Sequence, residues 1–489
     1  MLKYLRIAVE VVVFLLIVAL FVDFSGTIAP FAGWLAKIQL LPAVLSLNVL
    51  VLVLLVIATL FFGRLYCSII CPLGMFQDIF AAIGLKTARR NKYSFRKENP
   101  WLRGAVLIVY IVMLVLGMAS IASIIEPYGA FGRMATNLQG FIHRGFNNIL
   151  AANSEHENNY DYYMVTNQIL SWTVFGIASC TFVVLALLSF FFGRWWCSNI
   201  CPVGTTLSLL SRFSLFRPVI NTSKCNGCQL CARNCKASCI NPKEHTIDMS
   251  NCVVCFDCIN NCRQGAIKYK VRSFGKKKAT VDASRRNFVV GTVAAGSVMA
   301  VEAAARPVTK TVDGGFALLE DKKAPKRSVK LRPAGSWSAE HFAKKCTACQ
   351  LCVSSCPNGI LRPSGDLQDF MTPVMGYEVG HCRPECTRCA DVCPTGAIKP
   401  ITREEKSSIQ IGHAVWIPDN CVVLTDGVSC GNCARHCPVG AISMVEHDGH
   451  RVPSVDTERC IGCGACEHLC PSRPYSAIYV EGHKEHRKI

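Results

Sequence analysis

The chain has 489 residues, 51% of them hydrophobic, with 52 Lys+Arg against 33 Asp+Glu, a net charge of +19 and a mean hydropathy of +0.31. That length allows about three folded units, and so apolar a composition excludes a plain soluble globule. The basic residues sit beside apolar runs and form no aromatic-interleaved stripe, so they read as membrane flanks and argue against nucleic acid as a partner.

Three charge-free windows are long enough to cross about 30 Å of hydrocarbon: Val44 to Phe62, Ala105 to Ile125 and Ile169 to Phe192. A first window, Ile7 to Val22, is shorter and carries Glu10. It reads as a fourth span or as a cleaved signal peptide, and the lack of a small-residue cleavage site after Phe24 favours the span. Lys86, Arg89, Arg90, Lys92, Arg96, Lys97 and Arg103 crowd the loop between the second and third windows. The stretch from Glu126 to Gln168 instead sets Arg133 and Arg144 against Glu126, Glu155, Glu157 and Asp161. Positive-inside bias then places the amino terminus, the Lys86 to Arg103 loop and the segment after Phe192 in the cytoplasm, in a multi-pass protein of the bacterial inner membrane.

The segment Phe61-Phe62-Gly63-Arg64-Leu65-Tyr66-Cys67-Ser68-Ile69-Ile70-Cys71-Pro72-Leu73-Gly74 recurs 130 residues later, from Phe191 to Gly204, with Cys197, Cys201 and Pro202 in register. The membrane domain therefore reads as a duplicated helical hairpin. If each helix continues through its motif, the two thiols four residues apart share a face, and the proline stops the helix after the second. Arg64 and Arg194 are then placed to reach the interface, where Tyr66, Trp195 and Trp196 suit an aromatic belt. Cys67, Cys71, Cys197 and Cys201 are candidates for an additional metal or redox site, for thiol–disulfide exchange, or for plain apolar filler. Cys180, alone in mid-span, reads as filler, and His143 and Glu126 in the outer loop read as solvated residues or as quinone ligands.

Of the 30 cysteines, 24 fall into six runs whose tight C-x2-C spacing suits metal ligation and not the disulfide scaffolds of short secreted chains. Cys225, Cys228, Cys231 and Cys235, followed by Cys252, Cys255, Cys258 and Cys262, carry the signature of a two-cluster ferredoxin, in which the fourth Cys of each run ligates the other cluster. One 4Fe-4S cluster then takes Cys225, Cys228, Cys231 and Cys262; its partner takes Cys252, Cys255, Cys258 and Cys235. Lys236 and Arg263 stand where proline usually follows, and Cys239 is an extra thiol.

Ser284-Arg285-Arg286-Asn287-Phe288 before an Ala-rich stretch reads as a twin-arginine export signal, addressed to the twin-arginine translocase, or as a basic cytoplasmic linker. Cleavage at Ala303-Ala304-Ala305 stays open. Beyond it come Cys346, Cys349, Cys352, Cys356; Cys382, Cys386, Cys389, Cys393; Cys421, Cys430, Cys433, Cys437; and Cys460, Cys463, Cys466, Cys470. Each of these runs ends in Cys-Pro. Consecutive runs sharing clusters is the default pairing, with a nested arrangement as the alternative, and zinc is the competing metal. A Gly-Ala-Ile tripeptide at Gly265, Gly396 and Gly440 suggests the same strand packing over each pair.

The chain thus divides into a four-span membrane domain (1–215), a cytoplasmic two-cluster ferredoxin (216–275), a twin-arginine signal or anchor with linker (276–330) and a periplasmic four-cluster module (331–489), α-helical first and α+β ferredoxin-like after. No histidine stands in the three charge-free windows and no C-x2-C-H occurs, so haem has no ligands there; no G-x-G-x-x-G follows a strand, which argues against NADH oxidation.

These motifs carry a resemblance. The spans, the doubled Phe-Phe-Gly-Arg…Cys-x3-Cys-Pro motif and the Cys225 to Cys262 pair resemble a NapH-type membrane ferredoxin, with NosR-like and CcoG-like relatives. The part from Arg285 onward, with Arg332-Pro333-Ala334-Gly335 and four runs, is similar to the twin-arginine-exported polyferredoxin NapG. The resemblance implies an electron carrier or quinol dehydrogenase component that draws on the quinone pool and serves a periplasmic reductase. An assembly or regulatory factor for a periplasmic metalloenzyme, or a transmembrane thiol–disulfide reductant, are the alternatives.

Overall fold

In the computed structural model, the described residues are 2–87, 93–97, 99–156, 164–165, 169–271 and 320–489. The twin-arginine segment at Arg285 and Arg286 and the Ala303 to Ala305 stretch lie outside them.

The weakest window becomes one of the two long helices. Helix α1 (Leu2–Val22) runs 21 residues without a break, about 31 Å at 1.5 Å per residue. It begins five residues before the apolar window because its charges are internal: Arg6 and Glu10, one turn apart, pair at 3.3 Å and are both buried. Of the three charge-free windows, only the last forms a continuous helix of that length, α5 (Trp172–Phe192, 21 residues). The window Val44 to Phe62 breaks at Leu47, where φ is +56°, and restarts as α2 (Val49–Phe62), capped by the Asn48 side chain accepting from the Val51 amide. The window Ala105 to Ile125 is shifted: α4 (Pro100–Val115) starts at the Asn99 cap and ends before Gly117, where φ is +77°. Caps and left-handed residues cut an apolar run that composition alone reads as unbroken. Among the described residues two helices, α1 and α5, are therefore long and apolar enough to cross a membrane, and α2 and α4 are shorter apolar helices. Leu50, Leu54, Val109, Val115, Val183 and Leu187 are exposed on this helical domain, an apolar surface larger than soluble proteins leave bare.

The motif after α2 turns at Gly63 and leads into α3 (Pro72–Thr87); the motif after α5 turns at Gly193 and leads into α6 (Pro202–Ser211). A first ferredoxin module follows, closed by the antiparallel pair β1 (Phe216–Ile220) and β2 (Ile267–Val271), with Ile220 opposite Ile267. In the C-terminal module, β3 (Ile409–Trp416) pairs antiparallel with β6 (Ile478–Lys488), while β4 (Ile442–His447) and β5 (His450–Val455) form a hairpin. Its Asp448-Gly449 corner has φ of +53° and +75°, as a tight two-residue turn requires.

The two modules sit at opposite ends of α1. At its amino end Lys3 pairs with Asp257 of the first module at 2.9 Å. Just past its carboxyl end the Phe24 carbonyl accepts from Arg388 of the C-terminal module at 3.4 Å. Gly132 of the helical domain packs so closely on the Cys349 carbonyl that a Cβ there would stand 2.5 Å from it.

Candidate metal centres

In each of the six runs the third cysteine lies in a short helical turn, as Cys231 does in Leu230–Arg233 and Cys466 in Ala465–Leu469. The residue before five of these turns is left-handed: Gln229, Phe256, Gln350, Gly431 and Gly464, with φ between +59° and +112°. Three of the five are not glycine, a backbone strain that points to function. The bend brings the first two thiols of a run onto the same side as the third.

Three cavities are lined by four run cysteines each. One holds Cys252, Cys255, Cys258 and Cys235. The second holds Cys382, Cys386, Cys389 and Cys356, and the third Cys421, Cys430, Cys433 and Cys470. Each set takes three thiols from one run and the fourth from its neighbour, the arrangement that consecutive pairing expects. The complementary sets show in electrostatic contact: Cys352 with Cys346, Cys349 and Cys393, and Cys463 with Cys460 and Cys437. In the first module Cys231 lies near Cys225 and Cys228 in the same way, with Cys262 accepting from the Ala266 amide at 3.3 Å. Among the described residues no three Cys, His, Asp or Glu groups close to ligation range, in these runs or elsewhere; the thiols of a set border a shared space.

The donor chemistry fits 4Fe-4S clusters, with Cys225, Cys228, Cys231, Cys262, then Cys252, Cys255, Cys258, Cys235 in the first module as ligands. Burial pushes the Cys346, Cys349 and Cys463 thiols up to about 12 and Cys433 to about 11, so their thiolates need a cationic partner of the kind iron supplies. When bound, such a cluster supplies one-electron exchange. The chain's own part is to orient and neutralise the sulfurs. Amides of Ile398, Ala441 and Ala477 donate to Cys393, Cys437 and Cys470 at 3.4, 3.2 and 3.3 Å, and Lys406 Nζ reaches Cys382 Sγ at 3.2 Å. This is the role of the Gly-Ala-Ile repeats: each glycine has positive φ, and the next residues turn an amide toward the last sulfur of the run. The common strand expected of them holds at Ile267 and Ile442, which open β2 and β4; no strand starts at Ile398. Cys239 stands 3.5 Å from Cys235. That contact is the chief reason the Cys235 thiol falls to about 7.

Two contacts connect the C-terminal sets to their surroundings: Cys349 touches the helical domain, and the Cys382 amide donates to the Cys463 carbonyl at 2.9 Å, joining the set of Cys382 to that of Cys463, Cys460 and Cys437.

The paired Cys-x3-Cys motifs depart from expectation. The helix does not run through them: Gly63 and Gly193 end it with φ of +79° and +65°, and Pro72 and Pro202 open the next helix, where their missing amide costs nothing. Cys67 and Cys197 lie in short turns and Cys71 and Cys201 just before the prolines; all four are buried. Arg64 and Arg194 do not reach an interface. Both are fully buried and cross over: Arg64 donates to the Cys197 carbonyl at 2.9 Å, and Arg194 to the Cys67 carbonyl at 2.5 Å. Tyr66 leaves the belt as well, buried and donating to Gln39 Oε1 at 2.6 Å. Sequence reasoning missed the carboxylates beneath: Asp78 takes Arg194 and Lys236 at 2.6 Å each, and Glu10 joins Arg194 at 3.5 Å. The signals were present, in a lone acid within an apolar helix and in a lysine where a proline belongs. Lys236 reaches from the first module into the helical domain. Glu126, far from being solvated, is buried and caps the helix that starts at Pro127.

Family models match in three places: a 4Fe-4S dicluster domain at residues 345–397 and 428–473, another 4Fe-4S dicluster domain at 248–360, and a 4Fe-4S binding domain at 45–91 and 175–221, over the two repeats. The methylamine utilization ferredoxin-type protein MauM of Methylophilus methylotrophus is 36% identical over 161 residues, which is 30% of this chain and 69% of that protein. The chain belongs to the MauM ferredoxin-type family. MauM of Methylobacillus flagellatus is 35% identical over 161 residues, with 30% of this chain and 66% of that protein covered. The putative electron transport protein YccM of Escherichia coli is 25% identical over 200 residues, 40% of this chain and 47% of YccM. The ferredoxin-type protein NapG of Escherichia coli is 32% identical over 136 residues, 26% of this chain and 57% of NapG. This MauM relative thus spans about two thirds of the MauM proteins and about half of the others. No solved structure matches it. It is a polyferredoxin-type, iron–sulfur electron transport protein.

Proposed function

We propose that the protein takes electrons from a membrane quinol and passes them through the C-terminal sets to a reductase or carrier on the periplasmic side of the bacterial inner membrane, the first module facing the cytoplasm. On this reading it is multi-pass, with α2 and α4 completing the bundle around α1 and α5, and the C-terminal module leaves through the twin-arginine translocase. The observation that carries the reading is that Cys349 and Cys356, of two adjoining cysteine sets, both border the helical domain, while the Cys382 amide links on to the set of Cys463.

A cavity of about 370 Å³ opens where the two meet, of a size that holds small ligands. Phe24, Leu170 and Val353 give it apolar walls that suit a quinol ring and tail, and Cys356, a member of the second set, lines it beside His381 and His468. The His468 Nδ1 lies 3.2 Å from the Tyr377 carbonyl, to which it donates, leaving Nε2 as a proton acceptor. A quinol oxidised there would release two protons and two electrons: one hydroxyl would give its proton to the imidazole and the other to water, and clusters held by the cysteine sets would take the electrons one at a time. Addition of menaquinol or ubiquinol to anaerobic membranes should bleach the cluster absorbance, and His468→Ala should slow that bleaching on the order of a hundredfold. Absence of bleaching with either quinol overturns the reading.

A further inference from the structure

We propose that a basic cavity between the first module and the ends of α4 and α5 binds the phosphate group of an anionic membrane lipid, which fastens the module to the helical domain. The proposal does not need the quinol reading. It needs only that the exposed apolar helices lie in a membrane.

The cavity has a volume of about 160 Å³. That is below the roughly 300 Å³ at which pockets begin to enclose a whole drug-sized ligand, so it suits a headgroup whose chains stay outside. Three parts of the chain meet there. The loop before α4 brings Arg96 and Lys97, the second repeat Phe192 and Ser198, and the first module Lys236 and Ser238.

The charge in it has one sign. Arg96, Lys97 and Lys236 line the cavity, and among the described residues no acid does. Lys236 is already matched by Asp78 at 2.6 Å and Asp257 at 3.3 Å, so the charge left over is that of Arg96 and Lys97, both exposed. Along the sequence, the Lys86 to Arg103 loop sets seven cations against one acid, Glu98, so the excess is positive throughout. The amino end of α4, whose cap Asn99 also lines the cavity, adds the positive end of a 16-residue helix. A neutral donor completes the set. Ser198 is only 5% exposed, and its hydroxyl has no partner among the described residues. Such a group is a net cost until something accepts from it, as a phosphate oxygen in the cavity does.

The apolar wall decides between a lipid and a free phosphate. Leu102, in the first turn of α4, and Phe192, the last residue of α5, both line the cavity and are 36% and 39% exposed. Exposed apolar residues continue from them along both helices, through Val109 and Leu187, so chains leaving the cavity have a surface to follow. Basic pockets between the ends of membrane helices are where anionic headgroups bind. The bound group acts as a clasp. The Arg96 amide donates to the Ser238 carbonyl at 3.1 Å, and its guanidinium lies 4.8 Å from the centre of the Phe192 ring. One residue thus touches both the module and α5, and a phosphate on its guanidinium tightens both contacts.

Thermal unfolding of the full chain in a neutral detergent, titrated with dihexanoyl phosphatidylglycerol, dihexanoyl phosphatidylcholine or inorganic phosphate, tests the proposal. Phosphatidylglycerol should raise the midpoint saturably, phosphatidylcholine should leave it unchanged, and inorganic phosphate should act only at far higher concentration. Arg96→Gln/Lys97→Gln should weaken the phosphatidylglycerol response about twenty-five-fold, from about fivefold for each cation. Ser198→Ala removes a hydroxyl that has no partner, so a merely structural role leaves the titration as it was. Here it should weaken the response about fivefold without lowering the lipid-free midpoint. Equal responses to the two lipids, or an unchanged titration in either variant, overturn the proposal. Inorganic phosphate acting at the same concentration as phosphatidylglycerol overturns the lipid as its source.

Discussion

The two repeats of the helical domain share a backbone and differ in their field. Both turn at a left-handed glycine, both send an arginine across to the other's cysteine carbonyl, and both place a glycine, Gly74 or Gly204, where a Cβ would stand 2.2 or 2.1 Å from that carbonyl. The carboxylate is one-sided. Asp78 in the first repeat answers Arg194 of the second, but 130 residues on its counterpart is Ser208, so Arg64 faces no acid. Duplication has thus kept the geometry that gathers four thiols while letting the charge around them diverge.

The sharpest way to break this comparison is to remove its nearer carboxylate, Asp78, which stands 2.6 Å from Arg194 against 3.5 Å for Glu10. Asp78→Ala leaves Arg194, Lys236 and Arg6 buried around an empty place. The expected loss is about 3–5 kcal/mol, seen as lower yield from membranes and a lower unfolding midpoint in detergent. The change leaves Arg194 with Glu10 as its remaining counter-ion, at 3.5 Å, and brings the two arms closer in field.

A second route is pH. Glu126, on the side of the first repeat's Tyr66, is held up to about 7 by burial, against an ordinary 4.5, despite hydrogen bonds from the Gly129 and Tyr128 amides and the nearby Arg133. The folded chain keeps this proton where the unfolded chain has lost it. Its contribution is therefore full below about pH 4.5, declines as pH rises to about 7, and is gone above, a change on the order of 3 kcal/mol. Glu126→Gln should flatten that slope in detergent unfolding between pH 5 and 8.

How much of this was legible follows from what each signal encodes. The six runs were readable because cluster ligation fixes cysteine spacing locally, and the interlocking of the first pair came from the same rule. The pairing of Cys346 to Cys470 was legible only as a default, consecutive runs, because it depends on which loops meet in space; the cavities that set Cys356 beside Cys389 and Cys470 beside Cys433 agree with that default. Span lengths failed at Leu47 and Gly117, where caps outweigh hydropathy. Arg64 and Arg194 were misplaced because a lone arginine at the end of an apolar run looks the same whether it meets water or a carbonyl 133 or 127 residues away in the chain.

Gly74→Ala and Gly204→Ala test the shared half of the comparison. Each adds a methyl against a backbone carbonyl that cannot rotate away, so each should cost about 1–3 kcal/mol in detergent unfolding. The two costs should agree, since the geometry does. A large difference would mean that the repeats are not equivalent even in backbone.

The smallest effect separates the residues beside the first cysteines. Tyr66 corresponds to Trp196. The Tyr66 hydroxyl donates to Gln39 Oε1 at 2.6 Å and accepts from the Leu40 amide, while Gln39 Nε2 reaches the Ile70 carbonyl at 3.3 Å, next to Cys71. Trp196 Nε1 is buried with no partner among the described residues. Tyr66→Phe keeps the ring's volume and strands Gln39 Oε1, for about 1–2 kcal/mol. Because that chain of bonds ends beside Cys71, the same change should loosen its loop, and alkylation of Cys71 in the metal-free chain should speed up while Cys201 reacts as before. Trp196→Phe breaks no hydrogen bond and should leave the alkylation of both cysteines where it was. If instead both substitutions act alike, the first repeat's polar tether does not hold its thiol, and the asymmetry between the arms reduces to the carboxylates Asp78 and Glu10.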